Sequence, residues 1–284
     1  MDNDDTETYI LLLLADSNLP TGSFVASSGL ESYMKHGFAS SAPSIDVAIV
    51  DFVRDSLASY ARSSLPFVSD AHRAVMDYAL CKGATDNVVP HAHSTLSTLA
   101  KLDELYQTMV LNHVARRASM TQGVAMLTLY SKGFSQSASL SVFSTPEARD
   151  HEARMRELID HLKLKIRREE TYGHLPICWG ALTAALRISI ERSRYLHLFL
   201  HARSLLSASV RLNELGPYGA QQVLLHAVRP LVEAEVARCQ NLRTGFLDSL
   251  ECFDDVTLGP ANTWPLGEIL AGRHDLQHSR IFNS

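Results

Sequence analysis

The side chains in this chain best suited to chemistry by type and spacing are its histidines, of which there are thirteen. His197 and His201 are four residues apart in a stretch with helical periodicity, so their imidazoles share one helix face and could chelate a metal ion. A zinc metalloprotease of the H-E-x-x-H type has glutamate directly after the first histidine, whereas here Leu198 follows. A metal-dependent helical hydrolase, built from this pair and a distant carboxylate, therefore stays open only as an alternative.

The remaining reactive residues form no recognisable active site. His91 and His93 fall in an expected turn without a third ligand, and we expect both to be solvated loop residues. His113 lies on an apolar helix face, which is typical of a core or interface histidine. The four cysteines are scattered without a C-x-x-C pair, and neither a P-loop nor a G-x-S-x-G motif occurs. Spacing alone therefore predicts no catalytic residues and no metal site of the chain's own.

Composition limits the classes of protein that remain. Hydrophobic residues make up 46% of the chain and charged residues 20%, which are globular values, and the net charge of −5 argues against a dominant nucleic-acid surface. The first residues are acidic, unlike a secretory or transit peptide, and the apolar run 9–15 is too short to cross a bilayer. The sequence predicts a cytoplasmic protein that binds neither membrane nor nucleic acid.

Helical spacing of apolar residues covers most of the chain, and strand-like alternation does not persist beyond short runs. We predict an all-α fold: a single globular helical domain over residues 1–284, with about ten helices and no significant sheet. In the first half, the pattern predicts a helix capped by Ser44, a second helix from near Ser64 past Leu80, and one long helix over 94–132 with Gly123 as the position for a kink. Residues 133–145, rich in serine, are expected to form a flexible loop.

The second half shows clearer boundaries. Thr145 followed by proline predicts a helix start, and that helix should end near Arg168. Further helices are expected over 174–187, 191–212 and 221–238, and residues 254–265 are expected to be loop. The helix over 191–212 is apolar around much of its circumference and should be central.

Residues 14–31 form a sharp corner around which the helices are organised. Pro20 and Gly22 favour a turn, Ser23 is a reasonable N-cap for the next helix, and the small residues before Gly29 indicate that another backbone approaches closely. A second break is expected at Gly216, between Leu215 and a proline. The predicted structural turn residues are therefore Pro20, Gly22, Gly29 and Gly216.

Residues just after this corner and at the C-terminus suggest surface recognition. Glu31 and Lys35 are spaced for a helix salt bridge, and Tyr33 between them is of a type enriched at interfaces. Arg211 is placed to satisfy helix-end carbonyls. The Arg280-Ile281-Phe282 end could dangle or insert into a partner, and in the isolated protein we expect it to fray.

Several motifs together resemble the urease accessory protein UreF family. The corner reads L-A-D-S-x-x-P-x-G-S-F over 14–24, followed by G-L-E at 29–31. The later stretch Ser207-Ala208-x-Val210-Arg211-Leu212, with Leu215-Gly216 and Gln221, is similar to the S-A-x-x-R-L…L-G…Q pattern of the family. The ending from His274-Asp275 to Ser279-Arg280-Ile281-Phe282-Asn283-Ser284 resembles H-E-x-x-x-S-R-L-F-x-S.

The resemblance implies an all-helical, non-catalytic protein that acts as a homodimer. It would join the accessory protein UreD (also called UreH) and the GTPase UreG, modulate that GTPase, and help to deliver nickel to apo-urease. No cofactor would be bound tightly, since nickel is handled by the complex as a whole. The partner-binding residues expected on this basis, with residues 274–284 as a docking tail, are Glu31, Tyr33, Lys35, Arg211, Gln221, Arg280 and Phe282. A helical adaptor unrelated to urease remains the other alternative.

Overall fold

The computed structural model describes residues 3–16, 18–21, 26–80, 88–137, 139–140, 145–247 and 253–283. Within these ranges the chain forms helices joined by short connections and no β-strand, which confirms the all-α prediction. The extent of the domain, 1–284, stays a prediction. In the described residues, no helix combines the length and the apolar character that crossing a bilayer requires.

The helices follow one another in this order. The first half contains α1 (Asn3–Leu14), α2 (Leu30–Lys35), a 3₁₀ turn (Phe38–Ser41), α3 (Ile45–Leu80), α4 (Val88–Met109), α5 (His113–Leu129) and a π-helical turn (Tyr130–Phe134). The second half contains α6 (Pro146–Arg167), α7 (Leu175–Ala185), α8 (Ile190–Arg211), α9 (Pro217–Gln222), a π-helical segment (Val223–Val228), α10 (Arg229–Cys239), α11 (Asp255–Leu258), α12 (Pro265–Gly272) and a 3₁₀ turn (Arg273–Leu276).

Helix α3 is continuous through Pro66, so the predicted break before a second helix near Ser64 is wrong. A proline inside a helix lacks the N–H that would bond the carbonyl four residues earlier, here that of Arg62. The N–H of Ala261 lies 3.4 Å from that carbonyl oxygen and takes the missing place. In the sequence, a serine closely followed by proline looks like a helix start. The donor that compensates for the proline comes from a distant segment, so the local residues do not show that the helix continues.

The predicted long helix over 94–132 is in fact two helices. The break lies at residues 110–112, where the Asn112 side chain caps α5 by accepting the N–H groups of Val114 (3.0 Å) and Ala115 (3.3 Å). Gly123, the expected kink, instead allows close packing: a Cβ there would lie 2.1 Å from the carbonyl oxygen of Gly173. The chain before the break begins at Val88, so His91 and His93 are helical, although both are exposed as expected.

The segment before α7 is held by one buried carboxylate. Asp103 accepts hydrogen bonds from the Thr171 hydroxyl (2.5 Å) and from the N–H groups of Tyr172 (2.6 Å), Gly173 (2.7 Å) and His174 (2.9 Å). Bonds to a charged acceptor are stronger than those between neutral groups. This cluster fixes the start of α7 against α4.

Most predicted boundaries in the second half agree with the structure. Thr145 caps α6 by accepting the N–H of Ala148, with proline at the first position, and α6 ends at Arg167. The helix expected over 221–238 is longer, because α9, the π-helical segment and α10 are continuous from Pro217 to Cys239. The expected loop over 254–265 contains α11, and α12 after it was not predicted.

In the part of the chain that the structure describes, the buried core forms two hydrophobic clusters, and α3 and α8 contribute to both. One contains the C-terminal half of α3 with α4, α5, α6 and α7. The other contains the N-terminal half of α3 with much of α8, residues of α10 and α12, and the C-terminal end of the chain. The prediction of a central helix over 191–212 is confirmed, since α8 supplies residues to each cluster.

The predicted turn residues differ in whether the structure requires that particular amino acid at the position. Gly29 has φ +88°, and a Cβ there would lie 3.1 Å from the backbone nitrogen of Ala271, so the expected close approach is confirmed. Pro20 lies in a turn, whereas Gly22 and Ser23 are outside the described residues. The following helix begins at Leu30, later than expected. Gly216 has an ordinary φ of −72° and open space around its α-carbon, so the break there does not require glycine.

The predicted loop over 133–145 is partly helical. Gly133 and Phe134 belong to the π-helical turn, residues 139–140 are 3₁₀-helical, and residues 138 and 141–144 lie outside the described chain. The flexibility of this region stays a prediction.

A candidate docking site at the C-terminal tail

The C-terminal tail, residues 274–283, folds back on the chain and crosses α2. Phe282 is 3% exposed and joins the buried cluster that contains Leu30 and Phe52. Burying a phenylalanine side chain stabilises a contact by about 1.5–3 kcal/mol. The tail is therefore docked in this structure, and the expected fraying of the isolated protein stays a prediction.

Glu31 binds the backbone of the tail. Its carboxylate is fully buried and accepts the N–H of Ile281 (2.8 Å) and the N–H of Phe282 (3.3 Å). Lys35, one turn later, forms the predicted salt bridge with Glu31 at 3.0 Å and also donates to the carbonyl of Ser279. Burial alone would raise the pKa of Glu31, but the hydrogen bonds from Ile281, Lys35 and Phe282 outweigh it and hold that pKa below its ordinary value.

His274, the first residue of the tail, binds the same stretch near the end of the tail. It is fully buried, and its Nε2 lies 2.9 Å from the carbonyl oxygen of Phe282. Its Nδ1 lies 4.0 Å from a carboxylate oxygen of Glu31. Two side chains thus bind three polar backbone groups of Ile281 and Phe282 near the end of the chain.

The exposed part of the tail is held by charge. Asp275 receives two hydrogen bonds from Arg117 (both 3.2 Å) and one from Arg280 (2.8 Å), and His113 lies 3.2 Å away. Arg117 also donates to the carbonyl of Asn283 at 3.0 Å. The hydrogen bond from Arg117 lowers the pKa of Asp275 to about 2. Paired charges at a surface contribute little singly, but a bidentate arginine contact within a network orients the groups.

The predicted partner-binding residues divide into two groups. Glu31, Lys35, Arg280 and Phe282 meet at the tail, where Glu31 and Phe282 are buried within the chain rather than facing outward. Tyr33 lies beside them and is half-buried.

The Tyr33 ring is packed against two phenylalanines. Its centroid lies 5.0 Å from that of Phe52 and 5.8 Å from that of Phe38. Burial and the nearby carboxylates of Asp51 and Asp55 raise the pKa of its phenol.

Arg211 and Gln221 form the second group and lie elsewhere, along a cleft of about 880 Å³ beside α8 and α9. The structure does not bring these two to the tail. Both are exposed, and their assignment to partner binding stays a prediction.

His197 and His201 line the same cleft, but their rings are already engaged. Both stack on Tyr60, with centroid distances of 5.2 and 4.0 Å, and Nε2 of His201 lies 3.0 Å from the Ser56 hydroxyl. Burial lowers the pKa of His197 to about 3 and that of His201 to about 4, so both are neutral at pH 7. Across the described ranges no three histidine, cysteine or acidic side chains converge to hold a metal ion. The hydrolase alternative gains no support from this geometry.

Sequence reasoning missed two contributors to the docked tail. Arg117 was given no role in the sequence analysis, yet it anchors the tail, and its neighbour Arg116 donates to the carbonyl of Val110 (2.7 and 3.0 Å). His113 was expected on an apolar face but is exposed at the start of α5. The sequence signal that pointed to this part of the tail was the His274-Asp275 pair. The family resemblance included the pair but did not give its role.

Comparisons with known proteins agree on one family. The model of the UreF family matches residues 47–228. Urease accessory protein 6 of Cryptococcus neoformans var. grubii is 40% identical over 310 residues, covering 98% of this chain and 97% of that protein. A protein of Schizosaccharomyces pombe described as an uncharacterized urease accessory protein UreF-like is 29% identical, with full coverage of both chains. Urease accessory protein F of Arabidopsis thaliana is 28% identical, over 95% of this chain and 90% of its own.

Proposed function

This chain belongs to the UreF family of urease accessory proteins, and from that membership we propose that it is a non-catalytic scaffold for nickel insertion into apo-urease. In this proposal it joins UreD (UreH) and the GTPase UreG in one complex and modulates the GTPase. The observation that carries the proposal is the 40% identity to a urease accessory protein over nearly the whole of both chains. The cytoplasmic location expected from the sequence is part of the proposal.

The docked tail supports a role in partner binding because it presents apolar and charged side chains together at the surface. Exposed large apolar side chains lie along the last helix and the tail, namely Ile269, Leu276 and Ile281. Apolar side chains beside oriented charges are typical of protein interaction sites. Arg280, fixed by Asp275, and Lys35, fixed by Glu31, supply such charges. We propose that UreD or UreG contacts this surface.

Within this proposal the predicted site residues have different tasks. Glu31 and Phe282 hold the tail in place and act on the partner only through it. Tyr33, Lys35 and Arg280 are exposed enough to touch the partner directly. Arg211 and Gln221 would act at a second place, along the cleft.

The proposed homodimer has a supporting feature on the continuous segment from α9 to α10. Tyr218 is 89% exposed and Leu225 56% exposed, and both lie on the continuous α9–α10 segment. Leu225 lines a shallow hollow of about 320 Å³ with Phe199 and Val232. An apolar patch beside a hollow can pair with itself across a two-fold axis.

Nickel is proposed to be cargo of the complex and not a tightly held cofactor of this chain. Elemental analysis of the purified chain should then show far less than one nickel ion per protomer after dialysis. Stoichiometric metal that survives dialysis would contradict this part of the proposal.

The test of the scaffold is co-expression with UreD and UreG of the same organism, followed by size-exclusion chromatography with light scattering. We expect one stable complex with two copies of this chain, and faster or slower GTP hydrolysis by UreG within it. Arg280→Ala should weaken assembly, whereas Arg167→Ala, at an exposed arginine of α6, should not. A chain that migrates alone in the presence of both partners would overturn the proposal.

A further inference from the structure

Helix α1 presents apolar side chains on two opposite faces. The inner face packs against the buried cluster that contains α4 to α7, through Ile10, Leu11 and Leu14. The outer face is open: Tyr9 is 63% exposed and Leu12 is 68% exposed, with Leu13 beside them. A helix at the surface of a folded chain normally carries polar residues opposite its buried face, and a helix that is apolar all round is normally buried. The outer face of α1 therefore has the composition of a contact surface.

Polar contacts attach the same helix to the start of α8. The carboxylate of Glu7 accepts the N–H and the hydroxyl of Ser189, both at 2.7 Å. Arg192, in the first turn of α8, donates to Asp4 at 2.6 Å and lies 3.3 Å from Glu7. These contacts and the buried inner face determine how α1 lies on the fold, so its outer face is directed away from the core.

The outer face of α1 has an exposed carboxylate at each end, Asp5 within the helix and Asp16 just after it. These two residues are separated by about three helical turns, so they lie in line with the exposed apolar side chains and about 16 Å from one another. The helix itself contains no basic residue. Arg203 of α8 interacts with the charge of Asp16, but its guanidinium donates to the carbonyl of Ala15. The outer face is therefore an apolar strip with negative charge at both ends.

The α1 ridge, as we name this surface, consists of Asp5, Tyr9, Leu12, Leu13 and Asp16. Its charges decide which partner fits it. The same ridge on a second copy would set carboxylate against carboxylate in either direction of packing, and an anionic lipid surface would repel both ends. We propose that the α1 ridge docks an amphipathic helix of a different protein, with an apolar face bounded by lysine or arginine residues about 16 Å apart. The inference names no urease partner, so it can fail while the scaffold proposal stands.

The experiment is a binding titration of the isolated full-length chain with two labelled synthetic helices, followed by fluorescence anisotropy. Both peptides have about 18 residues and a leucine face, and lysine bounds that face in one peptide and glutamate in the other. The lysine peptide should bind at least about tenfold more tightly than the glutamate peptide in about 50 mM salt, and the difference should shrink in about 500 mM salt. Equal affinity of the two peptides, or no binding of either, would overturn the proposal.

Variants of the chain locate the binding surface. Leu12→Asp should weaken binding of the lysine peptide at least about tenfold, because it places a charge in the middle of the apolar strip. Leu111→Asp is the matched control at a leucine that is 82% exposed outside the ridge, and it should bind as the wild type does. The double variant Asp5→Lys with Asp16→Lys should prefer the glutamate peptide. Wild-type binding by Leu12→Asp, or a preference for lysine that persists in the double variant, would refute the proposal.

Two further measurements on Leu12→Asp decide between the proposed occupant and the others. Light scattering should give the same oligomeric state for Leu12→Asp and the wild type. Sedimentation with vesicles of phosphatidylcholine, with and without phosphatidylserine, should show no binding of the wild-type chain through this helix. A wild-type oligomer that Leu12→Asp dissociates would mean that a second copy covers the ridge, and vesicle binding that Leu12→Asp abolishes would mean that lipid does. Either result would overturn the proposal.

Discussion

Phe282→Ala should release the tail while leaving the helical core folded. The side chain is 3% exposed, and its burial contributes about 1.5–3 kcal/mol, which is a factor of roughly 10 to 150 in the docking equilibrium. Docking must also overcome the ordering of a terminal segment, at about 1–2 kcal/mol per residue, so its net margin is small. Losing the phenyl ring removes enough to favour the undocked state.

The loss of stability in Phe282→Ala distinguishes a tail that is an integral part of the core from a tail that can leave it. A phenylalanine inside a core that cannot open costs about 3–5 kcal/mol of global stability when cut to alanine. A tail that can leave limits that loss to the free energy of docking, because the rest of the fold does not need to follow. We therefore expect a urea midpoint close to that of the wild type, together with fast exchange of the Ile281 amide.

Amide exchange and equilibrium unfolding of the same samples provide the assay. Phe246→Ala, at a half-exposed phenylalanine far along the chain from the tail, is the matched control and should change neither the tail protection nor the midpoint much. Wild-type protection of the tail amides in the Phe282→Ala protein would refute the reasoning. A global loss of 3 kcal/mol or more would show instead that the tail is an integral part of the core.

Further predictions concern stability and assembly. Asp103→Asn should cost about 3–5 kcal/mol, because one amide oxygen cannot replace a carboxylate with four donors, and thermal unfolding would detect it. Gly123→Ala should be comparably damaging, since its Cβ would overlap a backbone oxygen at 2.1 Å; a folded variant of wild-type melting temperature would contradict this. Leu225→Glu should shift the proposed dimer towards monomer in light scattering while circular dichroism stays unchanged. Burial holds the pKa values of His197 and His201 near 3 and 4, below the ordinary value of about 6.5. Below pH 6.5 the unfolded chain therefore takes up protons that the folded chain does not, so the free energy of unfolding is full above pH 6.5 and falls as the pH is lowered. The urea midpoint should drop between pH 7.5 and 5, and it should drop less in His197→Leu.

Local signals in the sequence were sufficient where a helix end depends on its own residues. The threonine and proline that open α6 act within one turn, so their outcome could be predicted. The same kind of signal misled at Ser64, because the helix there continues through Pro66 with a donor from Ala261. The break at Asn112 was missed for the opposite reason: apolar spacing persists across it, and only the cap shows that the chain changes direction.

The candidate site could be predicted in composition but not in arrangement. Glu31, His274 and Phe282 match the family motifs and Asp275 stands where the family has glutamate, and the structure places all four in one cluster. A glutamate after a surface-like corner was expected to face partners, yet it is buried under the chain's own end. No spacing rule relates residues about 250 positions apart, so a sequence alone cannot tell an outward carboxylate from one that binds the tail.

The hydrogen bonds that compensate for Pro66 can form only late in the synthesis of the chain. The carbonyl of Arg62 receives its hydrogen bond from Ala261, and the guanidinium of the same arginine donates to the carbonyls of Val256 (3.1 Å) and Thr257 (3.0 Å). While a ribosome is still producing the last tenth of the chain, the middle of α3 lacks all three partners. The nascent protein can form its helices, but the three hydrogen bonds at Arg62 cannot form until translation is nearly finished. A product that ends before residue 256 therefore lacks these hydrogen bonds in the middle of α3.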